Sequence, residues 1–168
     1  MHFWSFHEEL DDKTAGEKPV GIHHINIVVT DLGESRDFFK LFGFTVVHEK
    51  TIQGEWLDRV TGLQGVAANY LSLSHKNSSV NLELLQYKNP EGSSDPQISS
   101  PNQIGYRHLA LDVENIEVEL KRLTELGVEF LGEVQVNSYG RKMCYFTGPD
   151  GILLELIQLS TPVGLITV

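Results

Sequence analysis

Two stretches of the chain carry the same succession of apolar and polar positions. β-Branched and apolar residues dominate from Ile25 to Val29 and again from Leu109 to Val113, short runs that predict strands. Asp31 and Asn115 follow them, in the place where a side-chain oxygen accepts the orphan N–H groups of a helix's first turn. Behind Asn115, the residues Ile116, Leu120, Leu123 and Leu126 recur at helical spacing. That stripe packs on a sheet while Glu117, Glu119, Lys121 and Arg122 turn to solvent. Gly43 and Gly127 stand where a residue in the left-handed region ends a helix.

These are two copies of one unit. GIHHINIVVTDLGESRDFFKLFGFTVV, from Gly21, aligns without a gap on GYRHLALDVENIEVELKRLTELGVEFL, from Gly105, so that His24 matches His108 and Gly43 matches Gly127, both at 84 positions. The copies close on LELLQ at 82–86 and LELIQ at 154–158, now 72 positions apart. The first copy therefore holds twelve more residues between its helix and its last strand, assigned to 50–79 and expected to line or cover a pocket. The Pro-, Ser-, Asn- and Gly-rich run at 88–103 reads as a linker. The expected organisation is an N-terminal arm (1–20), a first βαβββ module (21–87), the linker, a second βαβββ module (104–160) and a C-terminal tail (161–168). The class is α+β.

Composition narrows the partners. The 168 residues suit one compact unit, and 40% hydrophobic with 21% charged residues is ordinary for a soluble protein. No run approaches the roughly 18 apolar residues of a membrane span. A formal charge of −10, from 13 Lys and Arg against 23 Asp and Glu, repels phosphate backbones and anionic membrane surfaces, so neither nucleic acid nor a membrane is an expected partner. Cys144 has no cysteine to pair with, which fits a reducing cytoplasm, and between Met143 and Tyr145 it reads as a packed side chain. The start of the chain, MHFWSFHEELDDK, lacks the basic leader and apolar core of a secretory signal.

The candidate chemistry comes from the repeat. Side chains alternate along a strand, so in a curved sheet with its helix on the outer face His24 and Glu83 can both point into the concavity. His108 and Glu155 do the same in the second copy. Two modules related by a pseudo-twofold axis would bring two imidazoles and two carboxylates together, a donor set for one divalent Ni, Co, Zn, Mn or Fe ion. Without such an ion, Glu83 and Glu155 would be ionisable groups planted in very apolar strands, where uncompensated burial is costly. One His or Glu in a strand carries little weight; what counts is that both types recur at matching positions. His23, matched by Arg107, is expected to face outward with His2, His7, His48 and His75.

The motifs HHINIVVTDLGESRDFF with LFGF, VNLELLQY, YRHLALDV and FTGPDGILLELIQ resemble the vicinal oxygen chelate superfamily over residues 21–159. That superfamily includes glyoxalase I, methylmalonyl-CoA epimerase, extradiol dioxygenases, fosfomycin-resistance enzymes and bleomycin-binding proteins. The resemblance implies paired βαβββ modules forming a curved, barrel-like mixed sheet with helices outside. His24, Glu83, His108 and Glu155 occupy the four places that hold the metal in bacterial glyoxalase I, whereas epimerases of the family carry Gln where Glu83 stands and dioxygenases use a His, His, Glu set. Glutathione-using glyoxalases have Arg and Asn where this chain has Val28 and Tyr87, which implies a substrate other than a glutathione adduct.

The implied activity is that of a glyoxalase- or epimerase-type lyase or isomerase acting on a small oxygenated substrate through a metal-chelated enediolate, with Glu155, or else Glu83, as the base. Trp56, Arg59 and Tyr70 in the insert, and Tyr139, Arg141 and Lys142 in the second module, are candidates to hold the substrate. Rival readings are an Fe²⁺ ring-cleaving dioxygenase, against which a fourth ligand counts, and a non-catalytic drug-binding or resistance protein. Proteins of this kind pair their modules within one chain or between two, and a homodimer is expected.

Overall fold

The computed structural model describes residues 19–94 and 97–159. Nearly all of the N-terminal arm, with His2 and His7, and the C-terminal tail lie outside the described residues. The first module runs β1 (His24–Val28), α1 (Leu32–Lys40), β2 (Phe44–Gln53), α2 (Glu55–Thr61), β3 (Ala67–His75) and β4 (Asn81–Asn89). The second runs β5 (His108–Asp112), α3 (Ile116–Glu125), β6 (Gln135–Val136), β7 (Lys142–Thr147), a 3₁₀ turn (Pro149–Gly151) and β8 (Leu153–Gln158). The α+β class and the duplicated unit are as read from the repeat.

Local chemistry explains the helix boundaries. Asp31 accepts a hydrogen bond from the Glu34 N–H and Asn115 from the Val118 N–H, each capping the helix that follows. At the other end the Gly43 N–H reaches Lys40 C=O and the Gly127 N–H reaches Thr124 C=O, with both glycines in the left-handed region at φ 83° and 86°. On α3, Ile116 and Leu123 are fully buried and Leu120 packs against the core. Leu126, the last member of the predicted stripe, is exposed because it is already the C-cap residue, where the helical repeat stops. Arg122 does not simply face solvent: its guanidinium crosses to the Leu41 carbonyl at 2.9 Å.

Each module forms a four-stranded sheet, ordered β1-β4-β3-β2 and β5-β8-β7-β6. The outer pairs β1–β4 and β5–β8 are parallel and the others antiparallel. The sheets stay separate and do not close into a barrel within the chain. The twelve extra residues lengthen β2 to ten residues, against two in β6, and build α2.

The two modules share a single core. Leu82 and Leu84 of β4, Leu154 and Leu156 of β8, Phe39 of α1, and Ile116 and Leu123 of α3 belong to one buried cluster. Phe146 of β7 is its hinge between modules, stacked on Phe42 at 5.5 Å between ring centroids and tilted against Phe38 at 6.5 Å. Gly148 permits that approach, since a Cβ there would lie 2.8 Å from the Phe38 ring. Thr30 adds a polar tie, donating its N–H and hydroxyl to the Asp150 carboxylate at 2.9 and 2.5 Å. The turn PDG, which as sequence is only a strand connection, thus fastens the second module to the first, with Asp150 held at φ 57°.

Phe146→Ala is expected to remove about 3–5 kcal/mol of stability, the cost of deleting a fully buried aromatic. Asp150→Gly keeps the backbone conformation while deleting the tie, and should cost about 1–2 kcal/mol. Urea unfolding of both variants measures this, and an Asp150→Gly chain as stable as the parent would mean that the tie contributes no more than the left-handed backbone cost that glycine relieves.

Candidate metal centre

The parallel registers decide which side chains can meet. Pairing of His24 with Asn81 and of Asn26 with Glu83 leaves His24 and Glu83 as diagonal neighbours on one face of the sheet. The second module repeats this, with His108 opposite Leu153 and Ala110 opposite Glu155. The opposite faces carry Leu82, Leu84, Leu154 and Leu156 into the core. Both His/Glu faces therefore look away from the shared core.

The two pairs have the same geometry. His24 Nε2 lies 3.4 Å from Glu83 Oε2, and His108 Nε2 lies 3.4 Å from Glu155 Oε2. Two donors bound at ordinary metal–nitrogen and metal–oxygen lengths stand roughly 2.9–3.4 Å apart for right-angle to tetrahedral coordination, so each pair fits two adjacent positions on one divalent ion. The same separation also admits an imidazolium–carboxylate ion pair, and metal uptake distinguishes the two. The carboxylates are the more enclosed partners: Glu83 and Glu155 side chains are 16% and 11% exposed, against 41% and 33% for His24 and His108.

The half-sites differ in what surrounds them. In the first, Tyr70 donates its hydroxyl to Glu83 Oε1 at 2.7 Å, and burial followed by that hydrogen bond raises the phenol's pKa, keeping it a donor. Lys50 lies over the Tyr70 ring, 5.1 Å from its centroid. In the second, the ring of Tyr145 packs against His108 at 5.1 Å between centroids. Among the described residues no hydroxyl matches Tyr70 at Glu155.

Of the residues nominated to hold substrate, the structure brings Tyr70 to the pairs. Trp56 and Arg59 sit exposed on α2, with Trp56 donating to the Gln53 carbonyl and Arg59 paired with Glu55. Tyr139 and Arg141 lie exposed in the turn between β6 and β7, their backbone N–H groups bound to the Asn137 side chain. Lys142 is paired with Glu117. His23, set aside by the sequence for want of a histidine partner in the repeat, lies beside His24 with their Nδ1 atoms 2.9 Å apart. Among the described residues His23, His24 and Glu83 are the three metal-ligating side chains whose ligand atoms all fall within 4.8 Å of one another, so the two His/Glu pairs are separate within one chain.

Two βαβββ modules, each presenting one imidazole and one carboxylate from a parallel strand pair, define a fold with a duplicated potential metal site. The chain belongs to the glyoxalase/bleomycin resistance protein/dioxygenase superfamily, whose model matches residues 21–156. It is 28% identical over 150 residues to a 2-epi-5-epi-valiolone epimerase of Actinomyces sp, covering 83% of this chain and 80% of that protein. It is 30% identical to the uncharacterised protein YwkD of Bacillus subtilis, with 82% and 95% covered. Among solved structures, a glyoxalase family protein from Bacillus cereus is similar at a TM-score of 0.79 and 30% identity, covering 87% of this chain and 99% of that one. Among the described residues no helix is long and apolar enough to cross a membrane.

Cys144 sits next to this chemistry without joining it. Burial first, and the nearby Glu155 carboxylate second, push its thiol up to about 11. A raised thiol pKa favours the neutral form in the folded state. The stabilisation is complete below the ordinary value near 9 and is lost as pH rises from there toward 11. Iodoacetamide at pH 8 should leave Cys144 unmodified in the folded protein and alkylate it fully in urea, as mass spectrometry would read.

Proposed function

We propose that this chain is a divalent-metal-dependent isomerase or lyase that moves a carbon-bound proton beside a pair of oxygens on a small substrate. The observation that carries the reading is the recurrence of one donor geometry, His Nε2 to Glu Oε2 at 3.4 Å, in both modules. His24, Glu83, His108 and Glu155 are the residues that would hold the ion. Because the two pairs lie on faces turned away from their shared core, the four ligands come together between two copies of the chain, His24 and Glu83 of one facing His108 and Glu155 of the other. A homodimer then carries two such sites.

A divalent ion held there supplies a Lewis acid that stabilises negative charge on adjacent substrate oxygens. The chain's own carboxylates divide the remaining work. Tyr70 anchors Glu83, whereas Glu155 has no such hydroxyl among the described residues and is the carboxylate free to take the proton and return it. Val28 and Tyr87 share the alternation of His24 and Glu83, leaving no arginine at the place where a glutathione carboxylate would be held, which fits a substrate other than a glutathione adduct. The similarity to an epimerase supports a reaction that inverts a centre next to a carbonyl.

Elemental analysis of protein purified without added metal should find about one divalent ion per chain, lost in His24→Ala and in Glu155→Ala. Co-expression of His24→Ala/Glu83→Ala with His108→Ala/Glu155→Ala tests where the site forms. Restored metal in the mixed dimer, with none in either parent, is the expected result, and no restoration would rule out a site completed between two copies. Incubating the metal-loaded protein with hydroxyketones in D₂O should exchange the C–H next to the carbonyl, and Glu155→Gln should slow this by at least about a hundredfold. No exchange with any substrate, in a metal-replete protein, would favour a binding role over catalysis.

A further inference from the structure

We propose that His23 is a positioning residue for the first half-site: it accepts a hydrogen bond from His24 Nδ1–H and so holds His24 in the tautomer whose Nε2 can bind a metal ion. The inference rests on the metal-site reading above and assigns a role to a residue that the four-ligand set leaves unused.

The two imidazoles meet edge to face, with ring centroids 5.2 Å apart, planes at 86° and Nδ1 atoms 2.9 Å apart. Two ring nitrogens at that distance share one proton, so one ring donates and the other accepts. The second nitrogen of His24, Nε2, faces Glu83 Oε2 at 3.4 Å. A neutral imidazole that offers its lone pair at Nε2 carries its proton on Nδ1. Of the two possible directions, only donation from His24 to His23 is compatible with an ion between His24 and Glu83. The reverse direction would put a proton on Nε2, pointing at the carboxylate and closing the position. His23 itself then carries its proton on Nε2, on a residue that is exposed.

Ligand histidines in metal sites are commonly fixed by a carboxylate, carbonyl or water at the second nitrogen, and loss of that partner weakens metal binding. Here a neighbouring imidazole takes that place. The second module has no equivalent, because the matching residue is Arg107, whose guanidinium has donors only. His108 is instead braced by the Tyr145 ring. Sequence repetition made His24 and His108 look equivalent, yet one is oriented by a hydrogen bond and the other by packing.

The test is Zn²⁺ affinity of the full chain, measured by competition with a chromophoric chelator, for wild type, His23→Ala and His23→Gln. Glutamine keeps an acceptor oxygen, and alanine does not. The expected result is a roughly 10- to 100-fold weaker affinity for His23→Ala, most of it regained by His23→Gln, with unchanged melting temperatures. Nitrogen-15 NMR of the loaded wild type should place the His24 proton on Nδ1. Affinity of His23→Ala within about twofold of wild type, well short of the loss expected when such a partner is removed, would overturn the proposal. So would abolition of binding in both folded variants, which would make His23 a direct ligand. A wild-type chain that takes up no Zn²⁺, Ni²⁺ or Co²⁺ would instead overturn the metal site and this inference together.

Discussion

In each module the first and last strands are hydrogen-bonded in parallel, and the rest of the molecule depends on that pairing. The register sets the His of one strand diagonal to the Glu of the other, and the period of two sends the leucines between them to the opposite face. One ladder thus serves two ends. It delivers two ligand-type side chains to an open surface, and it delivers Leu82, Leu84, Leu154 and Leu156 to the core. A slip of one residue in either ladder would bury a carboxylate and expose the leucines, so the hydrophobic core itself enforces the geometry of the half-sites.

The core also decides which faces of the sheets stay open. Phe38 and Phe42 of the first module close on Phe146 of the second, and Arg122 and Asp150 add polar ties across the same seam. With the helix-bearing faces packed on each other, the His/Glu faces stay open among the described residues. Val28 shares the His24 side of β1 and is exposed, and β1 is an edge strand with one unpaired side.

The duplicated architecture was legible because a repeat constrains many positions at once. The matched Asp/Asn and Gly positions predict the caps and helix ends together, and the structure forms the same elements there. What stayed hidden depends on contacts between units. Leu126 keeps the helical spacing but falls at the C-cap; Arg122 looks like a surface charge but crosses the seam; the PDG turn looks like a connector but binds Thr30. Periodicity reports which side of an element is apolar and carries no information about which polar side chain finds a carbonyl 81 residues away. Trp56 and Arg59 lie in the insert, which folds into a helix where Arg59 pairs with Glu55.

His23 has no histidine counterpart in the second copy, where Arg107 stands. A repeat marks the residues that match and leaves a histidine opposite an arginine unmarked. Duplication followed by divergence leaves function in the differences as well as in the matches. In this chain the differences concentrate on the first half-site: His23 beside His24, Tyr70 bonded to Glu83, Lys50 above Tyr70. His23 and Tyr70 each contact a ligand-type side chain and Lys50 packs on Tyr70, whereas among the described residues His108 has the Tyr145 ring and Glu155 beside it. A site assembled from one restrained pair and one freer pair can keep its ion through the restrained pair while a carboxylate of the other moves. On the proposed isomerase or lyase reading, that division corresponds to anchoring by His24 and Glu83 and proton transfer by Glu155.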